Sequence, residues 1–210
     1  MKQEEVLVQQ ITKFNMFIAF EGLDGSGSST HSDLLTKRLQ DDGYKVALTK
    51  EPTNNLVGGL IRGILSHQWT ATPETLQLLF SADRGHHLNS EIEPWLNDDK
   101  IVITDRYMMS TFAFGSLSIE DEDWLKTLNS KFRKPDLTIL LKVAPEECMN
   151  RISKGRAKTE LFEKEDKLRK VWKRYEELSN ELENVIIIDA NRAKEEVHEE
   201  IYREVIKRLS

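Results

Sequence analysis

The chain has a single cysteine, Cys148, in 210 residues. An internal disulfide is therefore excluded, and the usage suits a reducing compartment, for which the expectation is the cytoplasm. No stretch approaches the 18 or so consecutive apolar residues that a membrane span needs. An excess of positive charge is also missing. Lysine and arginine total 30 against 36 acidic residues, a net charge of −6, which argues against a surface that coats nucleic acid. Met1-Lys2-Gln3-Glu4-Glu5 is too acidic and interrupted to read as a secretion signal. Internal repeats and low-complexity linkers are absent as well. What is present, 39% hydrophobic residues over this length, is enough for one well-buried domain.

One further absence is local. Residues 22–30 read Gly22-Leu23-Asp24-Gly25-Ser26-Gly27-Ser28-Ser29-Thr30, close to the phosphate-loop pattern G-x-x-x-x-G-K-[ST]. Both glycines and the final hydroxyl are in place, but Ser28 stands where the pattern has lysine. A serine- and glycine-rich surface turn would read similarly. The context favours a phosphate site: the apolar run Met16–Glu21 precedes the loop, and Leu34, Leu35 and Leu39 follow at helical spacing from about Ser29 to Gln40. Glycines let backbone N–H groups turn inward on an anion, and a helix N-terminus adds its dipole. Ser29 is then the expected Mg²⁺ hydroxyl and Thr30 its neighbour at the helix start.

Five short apolar runs predict strands covered on both faces: Met16–Glu21, Lys45–Thr49, Ile101–Asp105, Leu137–Val143 and Val185–Asp189. Helical patterns occupy Pro73–His87, Glu120–Phe132, Pro145–Ser153, Glu163–Leu182 and Ala193–Leu209. Alternation of this kind predicts an α/β fold of three layers, a five-stranded, mostly parallel sheet flanked by helices. Residues 1–15 read as an N-terminal extension and 16–210 as one domain. Ligands collect at the carboxyl ends of strands in such sheets. There the chain carries Glu21 and the loop, Lys50-Glu51-Pro52, Asp105-Arg106-Tyr107 and Asp189-Ala190-Asn191-Arg192.

From about Phe17 onward the chain resembles the thymidylate kinases, nucleoside monophosphate kinases of the phosphate-loop class. The resemblance rests on five segments in order: the loop itself, Thr49-Lys50-Glu51-Pro52, Leu78-Leu79-Phe80-Ser81-Ala82-Asp83-Arg84, Asp105-Arg106-Tyr107 with Ser110 and Ala113-Phe114, and Pro135-Asp136-Leu137-Thr138. It implies that ATP lies along Gly22 to Thr30, with Arg151 from a lid at about residues 151–163, and that Ser29 and Asp105 serve Mg²⁺. It implies a dTMP site with Phe80 stacked on the base, Arg84 donating to a thymine carbonyl, Thr111 and Phe114 near base and sugar, and Lys50, Pro52 and Arg106 around them. A ring at Phe114 would crowd a ribose 2′-hydroxyl. Arg106, Asp105, Asp24 and Arg156 are the implied catalytic groups, and a homodimer in the cytoplasm the implied assembly.

Phe80 and Arg84 share a helix face four residues apart, yet that spacing also fits a core ring beside a surface charge. Asp105 and Arg106 could form a structural pair at the sheet edge, Asp24 could satisfy the turn it sits in, and Lys154, Arg156 and Lys158 could be a solvated charge run. The lid departs from its usual Asp-Arg-x-Glu: Glu160-Leu161-Phe162-Glu163 places leucine where an arginine belongs. With Ser28, two cations are missing. Arg156 or Arg151 from the lid is the expected replacement for the loop lysine, with Lys50 or Arg106 as another source. A kinase for another deoxynucleotide or nucleoside, or a catalytically reduced nucleotide-binding module, stay open as alternatives.

Overall fold

The structure is a computed structural model that describes residues 15–152 and 159–209, with the side chains of 159–164 outside the description. Of the expected extension, only Asn15 falls within it; its amide donates to the Leu96 carbonyl at 3.3 Å. Five strands form one sheet: β1 (Met16–Gly22), β2 (Val46–Lys50), β3 (Ile101–Asp105), β4 (Leu137–Lys142) and β5 (Val185–Asp189), in the order β2-β3-β1-β4-β5. All four pairings are parallel. Nine α-helices are described: α1 (Ser28–Asp41), α2 (Leu56–Leu65), α3 (Pro73–His87), α4 (Glu93–Asn97), α5 (Met108–Gly115), α6 (Glu122–Asn129), α7 (Pro145–Ile152), α8 (Thr159–Glu181) and α9 (Lys194–Leu209).

Every residue of β1 is buried. Alternation along the strand sends Ile18 and Phe20 into the larger core cluster and Phe17 and Ala19 into a smaller one with Leu88, Ile92 and Leu96. Full burial of such side chains stabilises the fold by about 1.5–3 kcal/mol each. The expectation of strands buried at nearly every position holds for β1, β3 and β4. It fails for β2 and β5, which are half-exposed because they lie at the sheet edges.

Three helices, α2, α4 and α5, have no counterpart in the sequence pattern. α2 carries Gly58, Gly59 and Gly63 in ten residues, a composition that hides helical character. Gly58 is required: a Cβ there would lie 2.0 Å from the Thr53 carbonyl oxygen. α5 follows Arg106, whose φ of 72° turns the chain sharply out of β3. The expected helix Pro73–His87 runs on through a π-helical turn at Leu88–Ile92 into α4. The helix expected at Glu120–Phe132 is shorter, since the Asp121 carboxylate caps it by accepting from the Trp124 N–H at 2.9 Å. The connections leaving β1 and β3 run to opposite sides of the sheet, so the tips of these neighbours form the crevice where an open α/β sheet takes ligands.

Candidate functional site

The loop after β1 wraps its own carboxyl end. Gly25 and Gly27 have φ of 85° and 95°, and Gly27 directly precedes α1. A Cβ on Gly25 would lie 2.7 Å from the Cys148 carbonyl, so α7 packs against the loop only because glycine stands there. Leu23 is part of the core, and Ser28 is 7% exposed at the first position of α1, while Ser29 and Thr30 face solvent.

The Ser29 hydroxyl donates to Oδ2 of Asp105. Oδ1 of the same carboxylate is buried and has no hydrogen-bond partner among the described residues. A groove opens here, lined by Ser29, Ser32, Lys50, Glu91 and Asp105. A hydroxyl and a carboxylate with a spare oxygen are hard donors of the kind Mg²⁺ takes from a protein, one or two at a time, so these residues fit the ion. Lys50, expected at the acceptor nucleotide, lines this groove and not the cavity described next.

Arg106 joins the loop to that cavity. Its Nη1 donates to the Gly22 carbonyl and the Ser110 hydroxyl, each at 3.0 Å, and its Nη2 to Asp24 at 2.6 Å. Burial opposes the guanidinium charge, but Tyr175, Asp24, Glu21 and Asp105 outweigh it and raise the pKa. The guanidinium also sits 5.4 Å from the centre of the Phe114 ring. Asp24 is thus more than a turn residue satisfying local backbone.

Glu21 holds this turn. Its fully buried carboxylate accepts from the N–H groups of Tyr107 and Ser110, each at 3.0 Å, and from the hydroxyls of Ser110 and Tyr175. Burial raises its pKa, against the hydrogen bonds of Ser110 and the charge of Arg106. The sequence pattern sets Glu21 at a strand end and assigns it no role; a lone carboxylate ending a buried apolar run is its signal.

The cavity beyond Arg106 has a volume of about 370 Å³ and is lined by Pro52, Phe80, Arg84, Arg106, Thr111 and Phe114 among others. The sequence-predicted acceptor residues other than Lys50 therefore meet at one place. Arg84 is no surface charge: it is 1% exposed and packs 4.8 Å from the centre of the Tyr107 ring. It donates to Glu51 through Nε and Nη2, to Thr111 through Nη2 and to Asn129 through Nη1. Of its five N–H groups, one on Nη1 has no acceptor given to it among the described residues. Glu51 and Asn129 escaped notice as site residues; Asn129 lies 45 positions from Arg84 with no motif around it.

On the loop's other side, Nη1 of Arg151 reaches the Gly25 carbonyl at 3.5 Å and Nη2 reaches the Ala190 carbonyl at 3.4 Å, so it bridges the loop and the end of β5. Arg156, Lys154 and Lys158 lie outside the described residues, as does the side chain of Leu161.

The family model for thymidylate kinase matches residues 20–201. The chain is 41% identical over 187 residues to a probable thymidylate kinase of Methanocaldococcus jannaschii, covering 89% of this chain and 94% of that protein. A probable thymidylate kinase of Thermococcus kodakarensis is 38% identical over 195 residues, covering 89% and 95%. One of Archaeoglobus fulgidus is 39% identical over 193 residues, covering 91% and 95%.

Proposed function

This chain belongs to the thymidylate kinase family, and from that premise we propose that it transfers the γ-phosphoryl group of ATP to dTMP, yielding dTDP and ADP. The observation that carries the reading is the cavity of Phe80, Arg84 and Thr111, joined to the phosphate loop by Arg106, which touches Gly22 and Asp24. A pure ATP sensor has no use for that second compartment.

In this reading the backbone amides from Gly25 to Ser29 cradle the donor phosphates. Phe80 offers a ring face to the base. Arg84, held rigid by Glu51 and Asn129, offers its remaining N–H to a base carbonyl. Arg106 stands between the two sites, where a guanidinium orients the acceptor phosphate and stabilises charge that develops during transfer. The attacking phosphate oxygen is already anionic, so no strong general base is required. Phe114 lies against Arg106 and crowds a 2′-hydroxyl, which favours deoxyribose. Mg²⁺, when bound at Ser29 and Asp105, neutralises donor phosphate charge. In the same reading the enzyme acts in the cytoplasm as a homodimer, with Leu56 and Trp69, which are exposed, as candidate interface positions.

Ser28 leaves a charge to be replaced. A lysine near a phosphate oxygen is worth on the order of 4 kcal/mol at an effective dielectric of about 20. Arg156, from the cationic segment between α7 and α8, is the proposed replacement.

The test is ADP release with a panel of monophosphates. Preferential turnover of dTMP is expected. Preference for another nucleotide reassigns the substrate, and background turnover with every acceptor leaves only a nucleotide-binding module.

A further inference from the structure

Helix α3 lays one stripe along the cavity: Pro73, Leu76, Gln77, Phe80 and Arg84 all line it, at the spacing of a single helix face. Arg84, at one end, is tied down by protein acceptors. Gln77, two turns away, is not. It is 7% exposed, and its Oε1 is buried with no hydrogen-bond partner among the described residues. Buried carboxamides are ordinarily bonded, and an orphan in a native structure calls for an explanation.

The surroundings show how the amide is seated. A Cβ on Gly115 would lie 3.3 Å from Cδ and 3.4 Å from Nε2 of Gln77, and 3.2 Å from a methyl of Leu125. Gly115 therefore makes room for the amide on the α5 side, and Gln77 and Gly115 both line the cavity. Asn129 shows the contrast: its amide is fixed by Arg84 on one atom and the Leu125 carbonyl, at 2.9 Å, on the other. Among the described residues nothing fixes Oε1 of Gln77, which leaves that oxygen free for a ligand in the cavity.

α3 and α5 cross the cavity in opposite directions. Arg84 meets Thr111 at 3.0 Å, while Gln77 meets Gly115 one turn further along α5. A flat base on Phe80 is thus flanked by donors at its Arg84 end and by a carboxamide at the other. A carboxamide carries an acceptor beside a donor. That pair is complementary to a ring N–H beside a carbonyl, the imide edge of a keto-pyrimidine.

We infer that Gln77 is a specificity-determining residue of the acceptor site, hydrogen-bonding the N3–H and adjacent carbonyl of the pyrimidine while Arg84 holds the opposite carbonyl. The inference rests on the dTMP reading above.

The test is equilibrium binding of dTMP and of N3-methyl-dTMP to the full chain and to Gln77→Met, by calorimetry without ATP. The variant is expected to bind dTMP at least tenfold more weakly, as for the loss of that pair of hydrogen bonds. N3-methylation should weaken wild type at least tenfold and the variant less than threefold. KM for dTMP should rise in parallel, with kcat and the KM for ATP within threefold of wild type, a split that a merely structural residue would not produce. Gln77→Ala, measured identically, replaces a Met variant that packs poorly. Equal N3-methylation penalties in wild type and variants, with dTMP still bound, overturn this inference alone. Wild type that binds no dTMP removes the dTMP reading and this inference together.

Discussion

Arg84 and Glu51 are locked together in the interior. Nε and Nη2 of the arginine donate to the same carboxylate oxygen at 3.0 and 2.6 Å, and the two side chains are 1% and 3% exposed. The other oxygen of Glu51 faces Nδ1 of His87 at 3.1 Å, and Nε2 of that ring meets the Thr49 hydroxyl at 2.7 Å. One carboxylate thus links the cavity beside Phe80 to the groove beside Ser29 and Asp105, which Thr49 also lines.

Removing that carboxylate strands a buried guanidinium. Glu51→Ala should destabilise the fold by about 3–5 kcal/mol, the usual consequence of breaking a buried pair from one side. Urea unfolding measures it. A loss below about 1 kcal/mol would show that Arg84 finds another partner.

Among the described residues, Arg106 is the cation that both lines the cavity and bonds to the loop, at Gly22 and Asp24. Arg106→Ala should lower kcat by about 10²–10³. Arg106→Lys should recover little, because one ammonium cannot meet Gly22, Ser110 and Asp24 together. Steady-state kinetics beside circular dichroism separate this from misfolding.

Arg156 carries the proposed compensation for Ser28. Arg156→Ala should reduce kcat more than about tenfold; a kcat within threefold of wild type assigns the charge elsewhere. Ser28→Lys gives the complementary reading. No gain in rate is expected if a cation already occupies the spot, and a large gain would reveal a vacancy.

Phe114 sets the sugar preference in this scheme. Phe114→Ala should narrow the ratio of kcat/KM for dUMP over UMP by about tenfold. Competition between the two nucleotides reads this directly. An unchanged ratio would move the discrimination to another residue.

His31 makes stability depend on pH. Burial, then the charges of His198, Arg151 and Lys194, lower its pKa to about 4 from an ordinary 6.5. The folded protein therefore binds fewer protons than the unfolded chain between pH 4 and 6.5, and stability rises with pH across that window. As pH falls from 6.5 to 4, wild type should lose stability that a His31→Gln variant keeps. Denaturation midpoints at several pH values test the difference; parallel curves would refute it.

Much of the site was legible before the fold was. The loop, the Asp105-Arg106-Tyr107 segment and the Phe80–Arg84 spacing are local patterns, because a backbone turn and a helix face are set by residues close in sequence. Glu51, Asn129 and Gln77 were not legible as site residues. Their part depends on which side chain lies opposite, and Asn129 meets Arg84 only because α6 packs beside α3. α2 was hidden by its glycines for a related reason, since Gly58 is required by the Thr53 backbone that touches it and not by helix formation.

By itself the sequence determined the alternation of buried strands and amphipathic helices, the phosphate loop without its lysine, and the family likeness of the five segments. These follow from hydrophobic period and local backbone chemistry. Tertiary structure alone decided that Lys50 faces the Ser29–Asp105 groove, that Arg84 is buried and nearly saturated, and that Gln77 is left with an unmet oxygen. Each is a matter of which polar group finds a partner. Partnership across the sheet and between helices is settled by packing, which no local pattern records.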